Sequence, residues 1–586
     1  MYESDLSDLT TGHLHKKPRL SDAIFFPADI APHPFVCIWA DVGSGKNTFI
    51  EKMIAGCPEE SIPRLTVLLI TSRKAKVIET LHKYPNNVFR KLCDESNYGD
   101  IICEAPLPLG SYQHEITVDD WELTLTQRSV ICTNATIEKY LQYRHDPNDP
   151  CTHLWNRFDI IVWDEVHSLG IDSSYQSSPF HVMQLFKKTY QMMRMRSSGK
   201  LDPSNGIPYC KKLIMMTATP EPLQSITLPK DTHFIDLRKI CRSVFSRNIH
   251  FLSQQQAKIH ICQQLHNGER IVYFSNHVPS VETLSETYGI SNERIAISFS
   301  DRKRRKDMEN KFKADKKAPA SDKENDYTRM VNVEEHLAIH ASIRADIDLF
   351  VTTSRNKEGI DINDEDIQHV YVESHSVTDI HQMAGRIRRG AEHLYVIIDS
   401  EGYGNTEHRF ERVLAKYLCT SKQAAIDISY ANSILKDFCD EHKLSLNDAY
   451  RTENSDLGDF IDLIKQKFPY IEFDYFTYKF RFNSYNKLSH DFISSETRSF
   501  TEASKVPQDL VALFQRTFPY SNIYSPIAPE EESQQIGWNF LNSHPTGIVT
   551  EEELDELITK LDVFLTSLQN RKRRKSHKPA PNRLLH

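Results

Sequence analysis

The chain has 586 residues, of which 39% are hydrophobic and 26% charged, too long for one ordinary domain and balanced like a globular protein. Its formal net charge of −9 gives no overall attraction to nucleic acid, so binding of that kind has to come from local basic surface. The 11 cysteines are scattered, with no C-x-x-C pair, which argues against a disulfide scaffold or a zinc module and for a reducing compartment.

Residues 1–22 read as a flexible arm: Met1 to Arg19 is polar, with no apolar leader core. No apolar run reaches membrane-span length, so a soluble cytoplasmic chain without a membrane partner is expected. From Ala23, short apolar runs alternate with helical spacing. The run Phe35–Trp39 leads into Ala40-Asp41-Val42-Gly43-Ser44-Gly45, then Lys46-Asn47-Thr48 and a helical pattern. Strand, glycine turn and helix start form the layout of a phosphate-binding loop. Glycines let several N–H groups face one anion, and the helix dipole adds positive potential there. Lys46 is placed to reach the β- and γ-phosphates of a nucleoside triphosphate such as ATP. Ala40 stands where the first glycine is usual. Asn47 stands where a hydroxyl normally meets Mg²⁺, so its carbonyl oxygen, with Thr48 beside it, is the ligand on offer.

Further runs follow at Leu65–Ile70, Ser129–Thr133, Asp159–Trp163 and Lys212–Met216. They are near-continuous apolar segments of strand length, as in a parallel sheet buried on both faces. Strands alternating with helices make a doubly wound α/β domain over 23–226. A linker is expected over 227–246. A second α/β unit over 247–401 carries runs at Arg270–Phe274, Arg294–Ser298, Leu349–Thr353, Val370–Glu373 and Leu394–Ile398. Inside it, 313–327 is rich in Lys, Asp, Pro and Ala and reads as a loop insertion. Over 402–570 the pattern turns mainly helical, at His408–Leu418, Lys422–Leu435, Leu457–Phe468 and Glu551–Leu568. It is interrupted by the aromatic stretch Ile471–Phe482, which alternates like a strand or hairpin. Its rings suit core packing better than base stacking. The tail 571–586 opens with Arg571-Lys572-Arg573-Arg574-Lys575, a basic run that suits nucleic-acid binding or nuclear entry in a eukaryotic or viral setting.

The run Asp159–Trp163 ends in Asp164-Glu165-Val166-His167. Ligands of open α/β sheets sit at the carboxyl ends of strands, so these carboxylates and the phosphate loop are expected at one crevice. There Asp164 would hold Mg²⁺ and Glu165 would deprotonate the attacking water.

Asp164-Glu165-Val166-His167 resembles the DExH box of superfamily 2 helicases, and the other motifs of that family follow in order. Leu69-Ile70-Thr71-Ser72-Arg73-Lys74-Ala75 resembles motif Ia, and Val130-Ile131-Cys132-Thr133-Asn134-Ala135 the later backbone-contacting segment. Met216-Thr217-Ala218-Thr219-Pro220 resembles motif III and Val272-Tyr273-Phe274-Ser275-Asn276 motif IV. Val351-Thr352-Thr353-Ser354 with Glu358-Gly359-Ile360-Asp361-Ile362 resembles motif V, and Gln382-Met383-Ala384-Gly385-Arg386-Ile387-Arg388-Arg389 motif VI. The resemblance spans Phe35 to Ile398. It implies two tandem RecA-like domains that hydrolyse ATP with Mg²⁺ and move 3′ to 5′ along a strand of DNA or RNA, DNA being favoured. Arg386 and Arg389, spaced one helical turn apart, are then expected to reach the γ-phosphoryl group together when the domains close. Gln382 would sense nucleotide or water, His167 would bridge to the second domain, and Gly359 and Asp361 would line the cleft. Thr71, Arg73, Thr133, Thr352 and Thr353 would meet nucleic-acid phosphates. The basic run Asp301–Lys306 adds charge or a solvated helix face. A protein partner is expected at the C-terminal region. The rival readings are an ATP-binding clamp or scaffold that hydrolyses weakly, and a motor subunit of a larger replication, repair or defence complex.

Overall fold

The computed structural model describes residues 30, 32–46, 49–50, 66–72, 76–77, 80, 89–91, 129–143, 145–146, 149, 152–174, 177–200, 210–224, 226–238, 246–299, 302–315, 326–353, 361–399, 420–446, 455–519 and 521–526. The chain divides into the units Met1–Ile523 and Tyr524–His586, and the elements described here lie in the first.

The first lobe is built on β1 (Phe35–Trp39), β2 (Val67–Thr71), β3 (Phe89–Lys91), β4 (Ser129–Thr133), β5 (Ile160–Asp164), β6 (Lys212–Thr217) and β7 (His233–Asp236). All pair in parallel, in the order β3-β4-β2-β5-β6-β1-β7. Every residue of β2, β5 and β6 is buried. A strand covered by helices on both faces needs apolar side chains on both, which is why VLLIT and IIVWD do not alternate. Helices α1 (Asn134–Tyr143), α2 (Ser168–Ile171) and α3 (Ser178–Ser197) follow β4 and β5.

The second lobe carries β8 (Ser246–Leu252), β9 (Arg270–Phe274), β10 (Ile295–Ser298), β11 (Leu349–Thr352), β12 (Ile367–Val372) and β13 (Ala391–Ile397). Its helices are α4 (Gln254–His266), α5 (Val281–Tyr288), α6 (Arg302–Asp315), α7 (Asp326–His340) and α8 (Val377–Ala384). After it come α9 (Ser421–His442), α10 (Ser455–Lys467), the antiparallel hairpin β14 (Ile471–Asp474) and β15 (Lys479–Phe482), α11 (Ser484–Ala503), α12 (Pro507–Thr517) and β16 (Asn522–Ile523). The second sheet runs β10-β11-β9-β12-β13-β8-β16. Counted from its own first strand, each sheet reads 3-4-2-5-6-1-7. The lobes are therefore two copies of one doubly wound, RecA-like topology, with a mainly helical C-terminal region. The seventh place in the second sheet is taken by β16, from beyond the helical region.

The structure differs from the sequence-based expectation at several points. The stretch 227–246 carries β7, which pairs with β1. The stretch 313–327 holds the end of α6 and the start of α7, and only 316–325 fall outside the described residues. In the basic run, Arg304 donates to the Val278 and Pro279 carbonyls and Arg305 pairs with Glu334. Those two charges are engaged within the lobe, while Lys303 and Lys306 are exposed. The hairpin aromatics are core: Phe473, Tyr475 and Phe480 share one apolar cluster with Ile137 of α1, Phe180 of α3 and Leu435 of α9. Burying one such ring contributes about 1.5–3 kcal/mol. Residues 408–418, 551–568 and the tail lie outside the described residues.

One face of the second sheet gathers histidines. His250 Nε2 lies 3.1 Å from His393 Nδ1, His369 Nδ1 lies 3.2 Å from Tyr395 Oη, and His260 of α4 meets Tyr371 Oη at 2.5 Å. Burial lowers His250, His260 and His369 to about 4, with neighbouring histidines adding to the shift. The unfolded chain, with histidines near 6.5, binds more protons between these values. The stability these histidines contribute is therefore fully present above about pH 6.5 and is lost as pH falls towards 4. The thermal midpoint, followed by scanning fluorimetry, should drop between pH 7 and pH 5, and less steeply in His250→Gln.

Candidate active site between the lobes

β1, β6 and β5 lie side by side in the first sheet and end at one edge. β1 passes into the loop from Ala40 to Gly45. Gly43 and Gly45 take φ of 75° and 87°, left-handed backbone that side chains disfavour. Lys46 starts a helical turn in which Phe49 N donates to Gly45 O at 2.9 Å. Its Nζ folds back over the loop and donates to Ala40 O at 3.2 Å and Asp41 O at 3.4 Å. Ser44 Oγ is buried without a hydrogen-bond partner among the described residues.

At the end of β5, Asp164 Oδ1 accepts from Glu165 N at 3.0 Å. Glu165 has φ +56°, a left-handed conformation that costs a residue other than glycine about 1–3 kcal/mol. The turn aims its carboxylate toward the second lobe. Burial, with Glu165 beside it, pushes the Asp164 carboxyl up. Burial opposes ionisation of Glu165 as well, but Lys46, His167 and Arg386 outweigh it and hold that carboxyl low. Two adjacent acids are thus driven apart, one kept ionised by cations from both lobes.

A ring of polar contacts crosses the interface. His167 Nδ1 lies 3.3 Å from Glu165 Oε2 and 3.0 Å from Thr217 Oγ1. Thr217 Oγ1 accepts from Thr219 N at 3.0 Å. Gln382 Nε2, from α8 of the other lobe, donates to Thr219 Oγ1 at 3.1 Å. Arg386 Nη2 donates to Gln382 Oε1 at 3.5 Å and stands 3.8 Å from Glu165 Oε1, closing the ring. Arg386 is only 2% exposed, so its charge acts where water screens little. Asp361 faces Arg386 at 3.8 Å and Arg388 at 2.5 Å, and despite burial Arg388 and Lys76 hold its carboxyl far down.

The second lobe also touches the phosphate loop directly. His381 Nε2 lies 3.2 Å from Asp41 Oδ1. A Cβ on Gly385 would sit 2.7 Å from Val42 Cγ1, so only glycine allows this approach.

Lys46, Asp164, Glu165, His167, Gln382, Arg386 and Asp361 are therefore brought together with Ala40, Asp41, Val42, Gly43, Ser44 and Gly45. Arg389 is not. α8 ends at Ala384, and Ile387 instead bridges to Ile362, so helical spacing does not carry from Arg386 to Arg389. The Arg389 side chain is 61% exposed and pairs with Glu365 at 3.4 Å. The threonines also depart from expectation. Thr71 and Thr352 are buried at strand ends, and Thr133 Oγ1 accepts from Thr136 N at 3.3 Å at the start of α1. Thr71 Oγ1 has no hydrogen-bond partner among the described residues, and Thr353 is half-buried. Asn47, Thr48, Arg73 and Gly359 lie outside the described residues. Sequence reasoning missed His381, Arg388 and Lys76. His381 and Arg388 sit in or beside the motif VI stretch, but nothing local signals their partners in Asp41 and Asp361.

Among the described residues no group of three or more His, Cys, Asp or Glu side chains is arranged to hold a metal ion, and no helix is long and apolar enough to cross a membrane. No family model and no curated protein matches the chain. Solved structures similar to it include the DEAD-box helicase Mss116 bound to ssRNA and UDP-BeF, at 12% identity and TM-score 0.41 over 78% of this chain and 88% of that one. S. cerevisiae Dbp5 bound to RNA and ADP BeF3 gives 10%, 0.38, 68% and 88%. The Mycobacterium smegmatis helicase Lhr bound to ssDNA and AMP-PNP gives 13%, 0.39, 78% and 57%. The class defined by the paired sheets is the tandem RecA-like one.

Proposed function

We propose that the chain is a superfamily 2 motor of the DExH type that couples ATP hydrolysis to movement along nucleic acid, with DNA favoured over RNA. One observation carries the reading: Arg386, buried on the second lobe, stands 3.8 Å from Glu165, which neighbours Lys46 of the first. A nucleotide held by one lobe is then completed by a guanidinium from the other, so lobe closure and hydrolysis are one event.

Gly43, Ser44 and Gly45 offer backbone N–H groups to the phosphates, and Lys46 exchanges its loop carbonyls for the β- and γ-oxygens. Glu165, held ionised, accepts the proton of the attacking water while Gln382 orients it. Arg386 stabilises the charge that develops on the transferred phosphoryl group. His167, through Thr217 and Thr219, reports the state of Glu165 to Gln382. Asp164 is the described residue suited to hold Mg²⁺, an ion that takes one or two carboxylates plus substrate phosphates. Burial and the adjacent Glu165 raise its pKa despite Lys46 and Lys76 nearby, a penalty that a bound cation would relieve. Once bound, the ion supplies neutralising charge on the phosphoryl oxygens.

The test is steady-state ATP hydrolysis by the full chain with single- and double-stranded DNA and RNA. Stimulation is expected, greatest with single-stranded DNA. Tight binding of these polymers with no change in hydrolysis would make the protein a clamp instead.

A further inference from the structure

Helix α11 lies along both lobes. In its first half, buried Ser489 Oγ donates to Ile171 O of α2 at 2.8 Å, and α2 directly follows Asp164–His167. The same helix packs on the turn Glu221–Leu223, just after Thr217–Thr219. Two helical turns beyond Ser489, Glu496 reaches α8. One carboxylate oxygen accepts from Thr378 Oγ1 at 2.6 Å and Thr378 N at 3.4 Å, and the other accepts from the Ser376 hydroxyl. Ser376 is the N-cap of α8, its Oγ accepting from Asp379 N at 3.1 Å. His375, just before the cap, stacks on Phe500 of α11 with ring centroids 5.0 Å apart.

We propose that Glu496 is a positioning residue for hydrolysis: from α11 it fixes the start of α8 and thereby sets where Gln382 and Arg386 stand relative to Glu165. The inference rests on the reading of the site as an ATPase. Helix α8 has eight residues, two turns that move as one rod, so a shift at Ser376 is carried to Gln382 and on to Arg386. A carboxylate at its first turn also complements the helix dipole. Ser376 Oγ donates to Glu496 while accepting from Asp379 N, so Glu496 fixes the rotamer of the cap itself. Since Ser489 and Glu496 lie on one face of one helix, α11 splints the segment behind the base to the segment ahead of the guanidinium.

The experiment compares Glu496→Ala, Glu496→Gln, Thr378→Val and the exposed control Glu502→Ala in the full chain. It reads kcat and KM for ATP, the Kd of a fluorescent ATP analogue, and the thermal midpoint. Glu496→Ala should lower kcat about tenfold, the scale of a slight misplacement of reacting groups, with Kd within about twofold. Glu496→Gln keeps an acceptor for Thr378 and a partner for Ser376 and should restore most of kcat. Thr378→Val should lower kcat alone and add nothing to Glu496→Ala. If Glu496→Ala fails to fold, Thr378→Val decides the matter by the same criteria. Unchanged kcat in Glu496→Ala would overturn the proposal. So would a joint fall in kcat, nucleotide affinity and thermal midpoint that Glu496→Gln does not relieve. Glu165→Gln, run alongside, separates the two claims: wild-type turnover there removes the ATPase reading itself, whereas its inactivity beside a normal Glu496→Ala removes this one alone.

Discussion

Arg386→Ala will lower kcat for ATP hydrolysis by about a thousandfold or more, the range measured when an arginine finger is lost. The expectation follows from burial and from the company Arg386 keeps. Its guanidinium stands between Glu165 and Asp361, 3.8 Å from each, and hydrogen-bonds Gln382. Neither neighbouring arginine takes its place: Arg388 is engaged with Asp361 at 2.5 Å, and Arg389 faces Glu365 at the surface. Arg389→Ala should therefore retain activity within about twofold. ATP affinity, measured by equilibrium titration of a fluorescent analogue, should change far less than kcat in Arg386→Ala, because Lys46 and the loop belong to the other lobe. A kcat that fell equally in both arginine variants would contradict this assignment.

Glu165→Gln will abolish turnover, by about 10³-fold or more, while sparing nucleotide binding. The amide matches the carboxylate in size but cannot take a proton. It also removes the anion that Lys46, His167 and Arg386 jointly stabilise. Asp164 loses its repulsive neighbour as a result, so its carboxyl should titrate lower than in the wild type. Rapid-quench measurement of a single turnover separates loss of the chemical step from slow product release. A wild-type burst in this variant would assign the base elsewhere.

Strands covered on both faces were the easiest part of the fold to read. β1, β4, β5 and β6 are continuous apolar runs, and each lies within a residue or so of the expected position. β7 was hidden because it is an edge strand: His233, Phe234, Ile235 and Asp236 alternate between half-buried and exposed, a pattern that reads as connection. β3 and β16 have three and two residues, too few for any periodicity. In the candidate site, local spacing singles out Lys46, Asp164, Glu165 and Arg386, which the fold brings together. The departure at Arg389 came from extending helical periodicity past Gly385, the C-cap at which the helix ends. The contacts of His381 with Asp41 and of Glu496 with α8 join segments more than a hundred residues apart, and one sequence carries no signal of such pairing.

The hairpin and helices α9 and α10 complete the apolar interior of the first lobe, although they are encoded after strands β8 to β13 of the second sheet. During synthesis the first lobe therefore leaves the ribosome with that flank bare, and finishes only when a segment from beyond its twin arrives. The order of the gene and the order of assembly are thus interleaved. The N-terminal half depends on late-made residues for closure, and so do the strands within it that lead to Lys46 and Glu165.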